Sequence, residues 1–280
     1  IILGDTSNKA GYIKLISIVT AFVLITSVVG TIGLKERVKP QKGKKYGVKD
    51  IVTILKQKPV WATFISALLY QVGFMIMNTV NSYYFTYVLG NFALFSLVYL
   101  VQTIALFPPM LFHGKLVERF GKKKLYLFGL MTFGLFPIIR LFNVTSVPLL
   151  MVATILIGLG QGMCMPLTYG IQADNTDYVE MKLGQRAEGA IASLSSFITK
   201  FAMGVGGAIP GYLLAYVGFD GTAATQPAGV QSVIVICLAV LPAVFSLIGI
   251  VIFGKCYPLT KEKLEEQVRY LAEKRAKMEE

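Results

Sequence analysis

Residues 173–211 read ADNTDYVEMKLGQRAEGAIASLSSFITKFAMGVGGAIPG, from Ala173 to Gly211. A charged stretch, Asp174 to Glu188, runs into an apolar segment, and one lysine, Lys200, stands deep inside that segment. A cation at the centre of a bilayer-spanning helix costs about 2.5–3.5 kcal/mol on insertion scales. It persists where it faces a partner charge, a cavity or a substrate. Whether the segment spans a bilayer is decided by the chain on either side of it.

The 280 residues are 55% hydrophobic and 15% charged, with a mean hydropathy of +0.64. A soluble domain carries roughly 25% charged residues. Apolar runs fall near Gly11–Leu34, Pro59–Leu89, Phe92–His113, Leu125–Phe142, Pro148–Ile171, Ala190–Val217 and Gly229–Gly254. Runs of about 20 apolar residues match a hydrocarbon core about 30 Å thick. They are continuous rather than alternating, which excludes a β-barrel. The fold class is an all-α polytopic membrane protein with about seven transmembrane helices.

Basic residues set the expected orientation. The segment 35–58 holds Lys35, Arg37, Lys39, Lys42, Lys44, Lys45, Lys49, Lys56 and Lys58 against Glu36 and Asp50. Lys115, Arg119, Lys122, Lys123 and Lys124 share that side, and so does the tail after Gly254. The opposite loops, VLGNF, NVTSV and FDGTAATQPAG, contain neither Lys nor Arg. By the positive-inside rule the basic side is cytoplasmic. The net charge of +12 then reflects topology and contact with anionic membrane lipids, not nucleic acid, because there is no folded basic domain to carry it. Cys164, Cys237 and Cys256 have no motif spacing, and the single histidine, His113, excludes a histidine-based metal cluster. No metal or organic cofactor is expected.

The basic segment divides the spans into one and six. That division fits residues 1–34 as the last helix of a preceding half, 35–58 as a flexible linker, 59–254 as a six-helix bundle and 255–280 as a charged amphipathic cytoplasmic tail. Six spans divide into three plus three, as in the repeats within each half of major facilitator transporters. Gly114-Lys-Leu-Val-Glu118-Arg119-Phe-Gly121-Lys122-Lys123 resembles the signature loop of that superfamily, with Glu118 where an aspartate is usual. Its glycines permit a tight turn, and such a loop serves gating.

Polar residues inside spans are the candidate site. Gln71, Asn78, Asn81 and Tyr84 in the second span and Gln172 at the end of the fifth are candidates for a cavity wall, against a reading as interhelical hydrogen bonds. Gln161 and Tyr169 are weaker candidates. Arg140, at the end of the fourth span, is expected to snorkel to the interface. Asp174, Asp177, Glu180, Lys182, Arg186 and Glu188 read as a loop whose ion pairs lock one conformation. Ser193, Ser196, Lys200, Gly204, Gly207 and Gly211 follow steps of three and four, so one helix face is small, polar and cationic. Gly207 and Gly211 also form a G-x-x-x-G pair, which favours close helix approach. The nearest acid on the helix side of Lys200 is Glu188, roughly 18 Å away along the axis at about 1.5 Å per residue. In the tail, Leu264, Val268 and Leu271 form an apolar stripe.

The run from Ala173-Asp-Asn-Thr-Asp177-Tyr178 through Lys182-Leu-Gly-Gln-Arg186-Ala-Glu188-Gly189 to Lys200 resembles the glycoside–pentoside–hexuronide:cation symporter family, the melibiose permease relatives. So does Tyr83-Tyr84-Phe-Thr-Tyr87-Val88-Leu89-Gly90. The likeness covers essentially the whole chain, as the last helix of an N-terminal half plus a complete C-terminal half. It implies a major facilitator fold working by alternating access on a sugar or glycoside coupled to Na+, Li+ or H+, in a bacterial inner membrane. Lys200 would couple the cation and sugar sites, with Ser193 and Ser196 beside it. Asp174, Asp177, Arg186, Glu188, Glu118 and Arg119 would form a cytoplasmic gating network. The family's acidic cation ligands and main sugar-binding carboxylates lie on N-terminal helices, so the missing N-terminal half is an expected partner. The alternatives are an amphipathic or lipid-like substrate on the same fold, or a non-transporting half that pairs with a separate N-terminal half. No protease, hydrolase or nucleophile motif lies within the spans, so enzymatic activity is not expected.

Overall fold

The computed structural model of the chain describes residues 9–33, 47–184, 187–223 and 225–279. The chain divides into two compact units, residues 1–45 and 46–280. The first contains helix α1, Lys9–Gly33. It has no charged residue between Lys14 and its end, as a helix surrounded by hydrocarbon requires.

The second unit contains α2 (Val48–Leu55), α3 (Lys58–Tyr83), α4 (Leu94–Leu111), α5 (His113–Phe120), α6 (Lys122–Leu130), α7 (Val147–Leu183), α8 (Glu188–Tyr216), α9 (Ala228–Val235), α10 (Leu241–Cys256) and α11 (Lys261–Glu279). Single π-helical turns extend α3 through Tyr84–Val88 and α6 through Met131–Leu135, and join α9 to α10 through Ile236–Val240. A 3₁₀ stretch, Phe136–Phe142, completes the α6 span. Among the described residues, seven helical stretches are long and apolar enough to cross a membrane: Ala10–Ile32, Lys58–Val88, Leu94–Leu111, Lys122–Phe142, Val147–Leu183, Glu188–Tyr216 and Ala228–Cys256. The chain is an integral membrane protein, and the seven runs read from hydropathy coincide with these helices.

Glycine decides how closely the helices approach. In α7, a Cβ on Gly158 would lie 2.5 Å from the Gln102 carbonyl oxygen, and one on Gly162 would run into that of Leu106, both on α4. On the other side of α7, a Cβ on Gly160 would lie 2.5 Å from the Phe133 backbone nitrogen in the α6 π turn. The GLGQG run therefore holds α7 at backbone contact with two neighbours. Close approach replaces the hydrophobic drive that lipid cannot supply. Gly73 of α3 meets Pro242, Gly134 meets Ser246, and Gly206 of α8 meets Met75 of α3. Aromatic rings fill the remaining core: Tyr70 stands edge-on to Phe133 at 4.6 Å, and Tyr126 packs on Phe253 at 4.7 Å.

Three local expectations change. The stretch from Asp174 is helical, not a loop. α7 continues to Leu183 and stops at Gly184, whose φ of 70° and N–H bond to the Glu180 carbonyl (2.9 Å) make a left-handed cap. At 37 residues α7 is about 55 Å long and projects beyond a hydrocarbon core. Residues 48–55, placed in the linker by composition, form α2, which Asp50 caps by accepting the Gly47 N–H at 2.9 Å. The inward face of the tail is Leu264, Gln267 and Leu271 rather than the apolar stripe Leu264, Val268 and Leu271, because Val268 is 61% exposed and Gln267 only 2%.

Gly162→Ala is expected to lower thermal stability by about 1–3 kcal/mol through overpacking against Leu106. Gly204→Ala, whose Cβ meets nothing within 4 Å, is expected to leave the melting temperature unchanged. Equal melting temperatures for the two variants in detergent would show that α4 and α7 do not need this contact.

Candidate functional site

α3, α7 and α8 line a half-open cavity of about 500 Å³. Gln71 of α3, Gln172 of α7 and Ser196 of α8 line it, with Tyr70, Thr168 and Thr199 among the others. None of the lining residues carries a charge. The hydroxyl protons of this wall are largely committed within their own helices. Thr168 donates to the Cys164 carbonyl at 2.8 Å, Ser195 to Ile191 at 2.9 Å and Thr199 to Ser195 at 3.0 Å. Their oxygen lone pairs therefore face the cavity as acceptors, while the two glutamine amides both donate and accept. Such a wall suits a polyhydroxylated neutral group. Tyr70 and Tyr169 add ring surface.

Lys200 lies one turn beyond Ser196 on α8. Its side chain is exposed and makes no hydrogen bond or ion pair among the described residues. A Cβ on Gly204, Gly207 or Gly211, which share its face, would meet nothing within 4 Å. Close packing of α8 uses Gly206 on another face, so the expected G-x-x-x-G contact through Gly207 and Gly211 is not made among the described residues. Ser193 sits on the exposed face and donates to the Gly189 carbonyl at 2.8 Å.

At the basic end, Lys122 Nζ lies 2.7 Å from both carboxylate oxygens of Asp174. It also reaches the Gly170 carbonyl at 3.4 Å. Gln267 of α11 donates to the Asp174 carbonyl at 2.9 Å, and Lys123 donates to the Tyr257 carbonyl at 2.7 Å. Burial, and then the nearby Asp174 carboxylate, push the Tyr257 hydroxyl pKa upward, so the phenol stays neutral. Burial and Lys122 hold the His113 pKa below its ordinary value. This cluster fastens the start of α6, the end of α7 and the tail helix together.

Residues 1–261 match the family model described as MFS/sugar transport protein. The chain belongs to that family. It is 31% identical over 225 residues to the glucuronide carrier protein homolog of Escherichia coli (strain K12), covering 78% of this chain and 48% of that protein. It is 30% identical over 220 residues to the isoprimeverose transporter of Lactiplantibacillus pentosus, covering 77% and 46%. The lactose permease of Lactobacillus delbrueckii subsp. bulgaricus is 27% identical over 280 residues, covering 96% and 43%. The chain spans about half the length of these curated relatives. Their names are those of carriers, not enzymes, in keeping with the melibiose permease-like, major facilitator character read from the sequence.

For this member of the MFS/sugar transport family, the candidate residues separate into groups. Gln71, Gln172 and Ser196 meet at the cavity. Asn78 does not line it: its amide donates to the Phe74 carbonyl at 2.9 Å and accepts from the Tyr99 hydroxyl of α4 at 3.0 Å. Tyr84 is 2% exposed and donates to the Val144 carbonyl at 2.6 Å, so it is a core residue at the opposite end. Asn81 also lies outside the cavity wall. Gln161 accepts from Gln102 at 2.8 Å and joins α7 to α4. Arg140 does not snorkel; it is 6% exposed and donates to Thr154 Oγ1 at 3.3 Å.

Within the expected gating network, Asp174 pairs across to Lys122 on α6 and not along the loop. Asp177, Glu180 and Glu188 are each engaged in an interaction. Arg186 lies outside the described residues. Glu118 and Arg119 are exposed on α5, and Arg119 sits over the Phe120 ring at 5.4 Å. Sequence reading missed Tyr70, Thr168, Ser195 and Thr199. The signal was present, since Thr168 and Gln172, and Ser195 and Thr199, are polar pairs four residues apart.

Removing either charge of the Lys122–Asp174 pair, whose side chains are 27% and 15% exposed, leaves the other half-desolvated. Lys122→Met and Asp174→Asn are each expected to destabilise the protein, and the double variant by less than their sum. A double-mutant cycle on thermal stability should give a coupling of about 0.5–3 kcal/mol; strict additivity would deny the pair a structural role.

Proposed function

We propose that the chain forms the C-terminal bundle, with the last N-terminal helix, of a cation-coupled sugar or glycoside symporter in a bacterial inner membrane. The carrying observation is the uncharged, hydroxyl- and amide-walled cavity with Lys200 at the next turn of the same helix. The printed names of the relatives, carriers of glucuronide, isoprimeverose and lactose, support a sugar as cargo. The basic end faces the cytoplasm under the positive-inside rule.

In this reading Gln71 and Gln172 exchange hydrogen bonds with sugar hydroxyls, and Ser196 and its neighbours accept from them. Lys200 is the coupling group. Its charge is balanced by carboxylates of an N-terminal half while Na+, Li+ or H+ binds and leaves. Ser193 lies beside it on the same face. Rocking of one half against the other exposes the cavity to each side in turn. The Lys122–Asp174 pair, with Asp177, Arg186 and Glu188, steadies the cytoplasmic end, and Glu118 and Arg119 belong to the adjoining signature loop.

Lys200→Ala in the intact protein is expected to abolish accumulation of labelled sugar against a gradient while membrane insertion is retained. Gln71→Ala and Gln172→Ala are expected to raise KM by roughly five- to tenfold each, the loss of about one hydrogen bond. The measurement is uptake of a panel of labelled sugars with and without sodium. Accumulation by the Lys200→Ala protein equal to that of the unaltered one would refute the coupling role.

A further inference from the structure

A second cavity, of about 470 Å³, lies at the basic end and shares no lining residue with the first. One wall is the α5–α6 corner, with Val117, Gly121 and Lys122; the other is α11. α11 rests on α7 through the buried Gln267 and Leu271 and turns Lys261, Glu265, Val268 and Arg269 into the gap. The volume falls within the range of about 300–1,000 Å³ usual for small-ligand sites.

The charges of the walls are unequally used. Asp174 reaches the cavity but its carboxylate is taken by Lys122. Lys261 and Arg269 make no ion pair among the described residues, and Glu265 stands between them in sequence. Lys115, Arg119 and Lys124 are exposed on α5 and at the start of α6, against Glu118 on α5 and Glu262 on α11, which the Thr260 hydroxyl, and also Lys261 and Lys124, help to hold ionised, so basic residues outnumber acidic ones there. Its level is informative too. Lys122 opens a stretch able to cross the membrane, and Phe112 and Phe120 are exposed beside it, 56% and 48%. A spanning stretch that begins at Lys122, Lys123 and Lys124 places that end at the boundary between hydrocarbon and headgroups, because such cations reach for the interface. A basic pocket at the cytoplasmic boundary is suited to an anionic headgroup.

We propose that this cavity binds the headgroup of an anionic phospholipid of the inner leaflet, phosphatidylglycerol, with its phosphate between Lys261 and Arg269. The glycerol hydroxyls donate to Glu265, and the apolar portion next to the phosphate lies against Val117 and Val268. A free phosphate would leave those apolar walls wet. The lipid bridges α11 to the α5–α6 corner on either side of the Lys122–Asp174 pair, and so braces that end of the bundle. The inference rests on the orientation proposed above, but not on sugar transport.

The test uses the intact protein in nanodiscs of phosphatidylcholine, with or without phosphatidylglycerol. Lipid retained through detergent exchange is counted by native mass spectrometry, alongside the melting temperature. Phosphatidylglycerol should be retained and should raise the melting temperature. Lys261→Gln with Arg269→Gln should reduce retention roughly tenfold or more. Val268→Trp, which fills the gap without changing charge, should do the same. Lys263→Gln, on another face of α11, should not. Retention by the first two proteins equal to that of the unaltered one would overturn the proposal. So would an equal rise in melting temperature from inorganic phosphate in phosphatidylcholine discs. Sugar uptake that fails while the lipid site behaves as expected would count against the transport reading alone.

Discussion

Backbone contact along α7 sets the spacing of the bundle. Gly158 and Gly162 bring α4 against one side of α7, and Gly160 brings the α6 π turn against another. Lipid is as apolar as leucine, so burying hydrocarbon gives little preference for one helix neighbour over another, and close van der Waals approach has to supply it. Once α7 is held on two sides, its third face is free to wall a cavity with Thr168, Tyr169 and Gln172. Its extension beyond the apolar stretch delivers Asp174 to Lys122 and α11. The same helix thus fixes the separation between cavity and basic-end cluster, because a continuous α-helix does not stretch.

Polar side chains in the bundle follow one rule with a few exceptions. Most hydroxyls return their proton to a carbonyl one turn back, as Thr63, Thr154, Thr168 and Ser195 do. That arrangement satisfies the donor where no water is present. It leaves an acceptor, and what meets the acceptor decides the role. Thr154 meets the buried guanidinium of Arg140, and Thr63 meets the amide of Asn175. Both act as struts between elements. Ser195 and Thr199 meet open cavity. Chemically similar groups are structural in one place and available to a ligand in another.

This explains which parts of the molecule were legible in the sequence. Hydropathy located the seven spans, because helix length against bilayer thickness is a one-dimensional property. The family was legible too, from the run between Ala173 and Lys200. The cavity was legible only in part. Gln71, Asn78 and Tyr84 look alike as polar residues of one span, but α4 takes Asn78 through Tyr99 and the Val144 carbonyl takes Tyr84. That separation depends on helix rotation and neighbours, which spacing alone does not encode. The run from Asp174 to Thr176 looked like a loop because Asp, Asn and Thr compete with the helix through their side chains. Packing of Asn175 and Thr176, which are 0% and 5% exposed, overrides that tendency.

α8 is fastened along one line and open along another. Gly206 packs against Met75, and Thr79 donates to the Gly206 carbonyl at 3.4 Å, so α3 and α8 are in close contact there. On the face with Lys200, which is exposed, a Cβ on Gly204, Gly207 or Gly211 would meet nothing within 4 Å among the described residues. A cation in hydrocarbon is costly, so that face needs a polar or charged neighbour from outside the α3–α8 contact. Under the proposed function the neighbour belongs to the opposing half and to the bound ion and sugar. Small residues then do two jobs with one side chain size. At Gly206 they bring helices to permanent contact, and at Gly204, Gly207 and Gly211 they leave room beside the lysine for a surface that comes and goes.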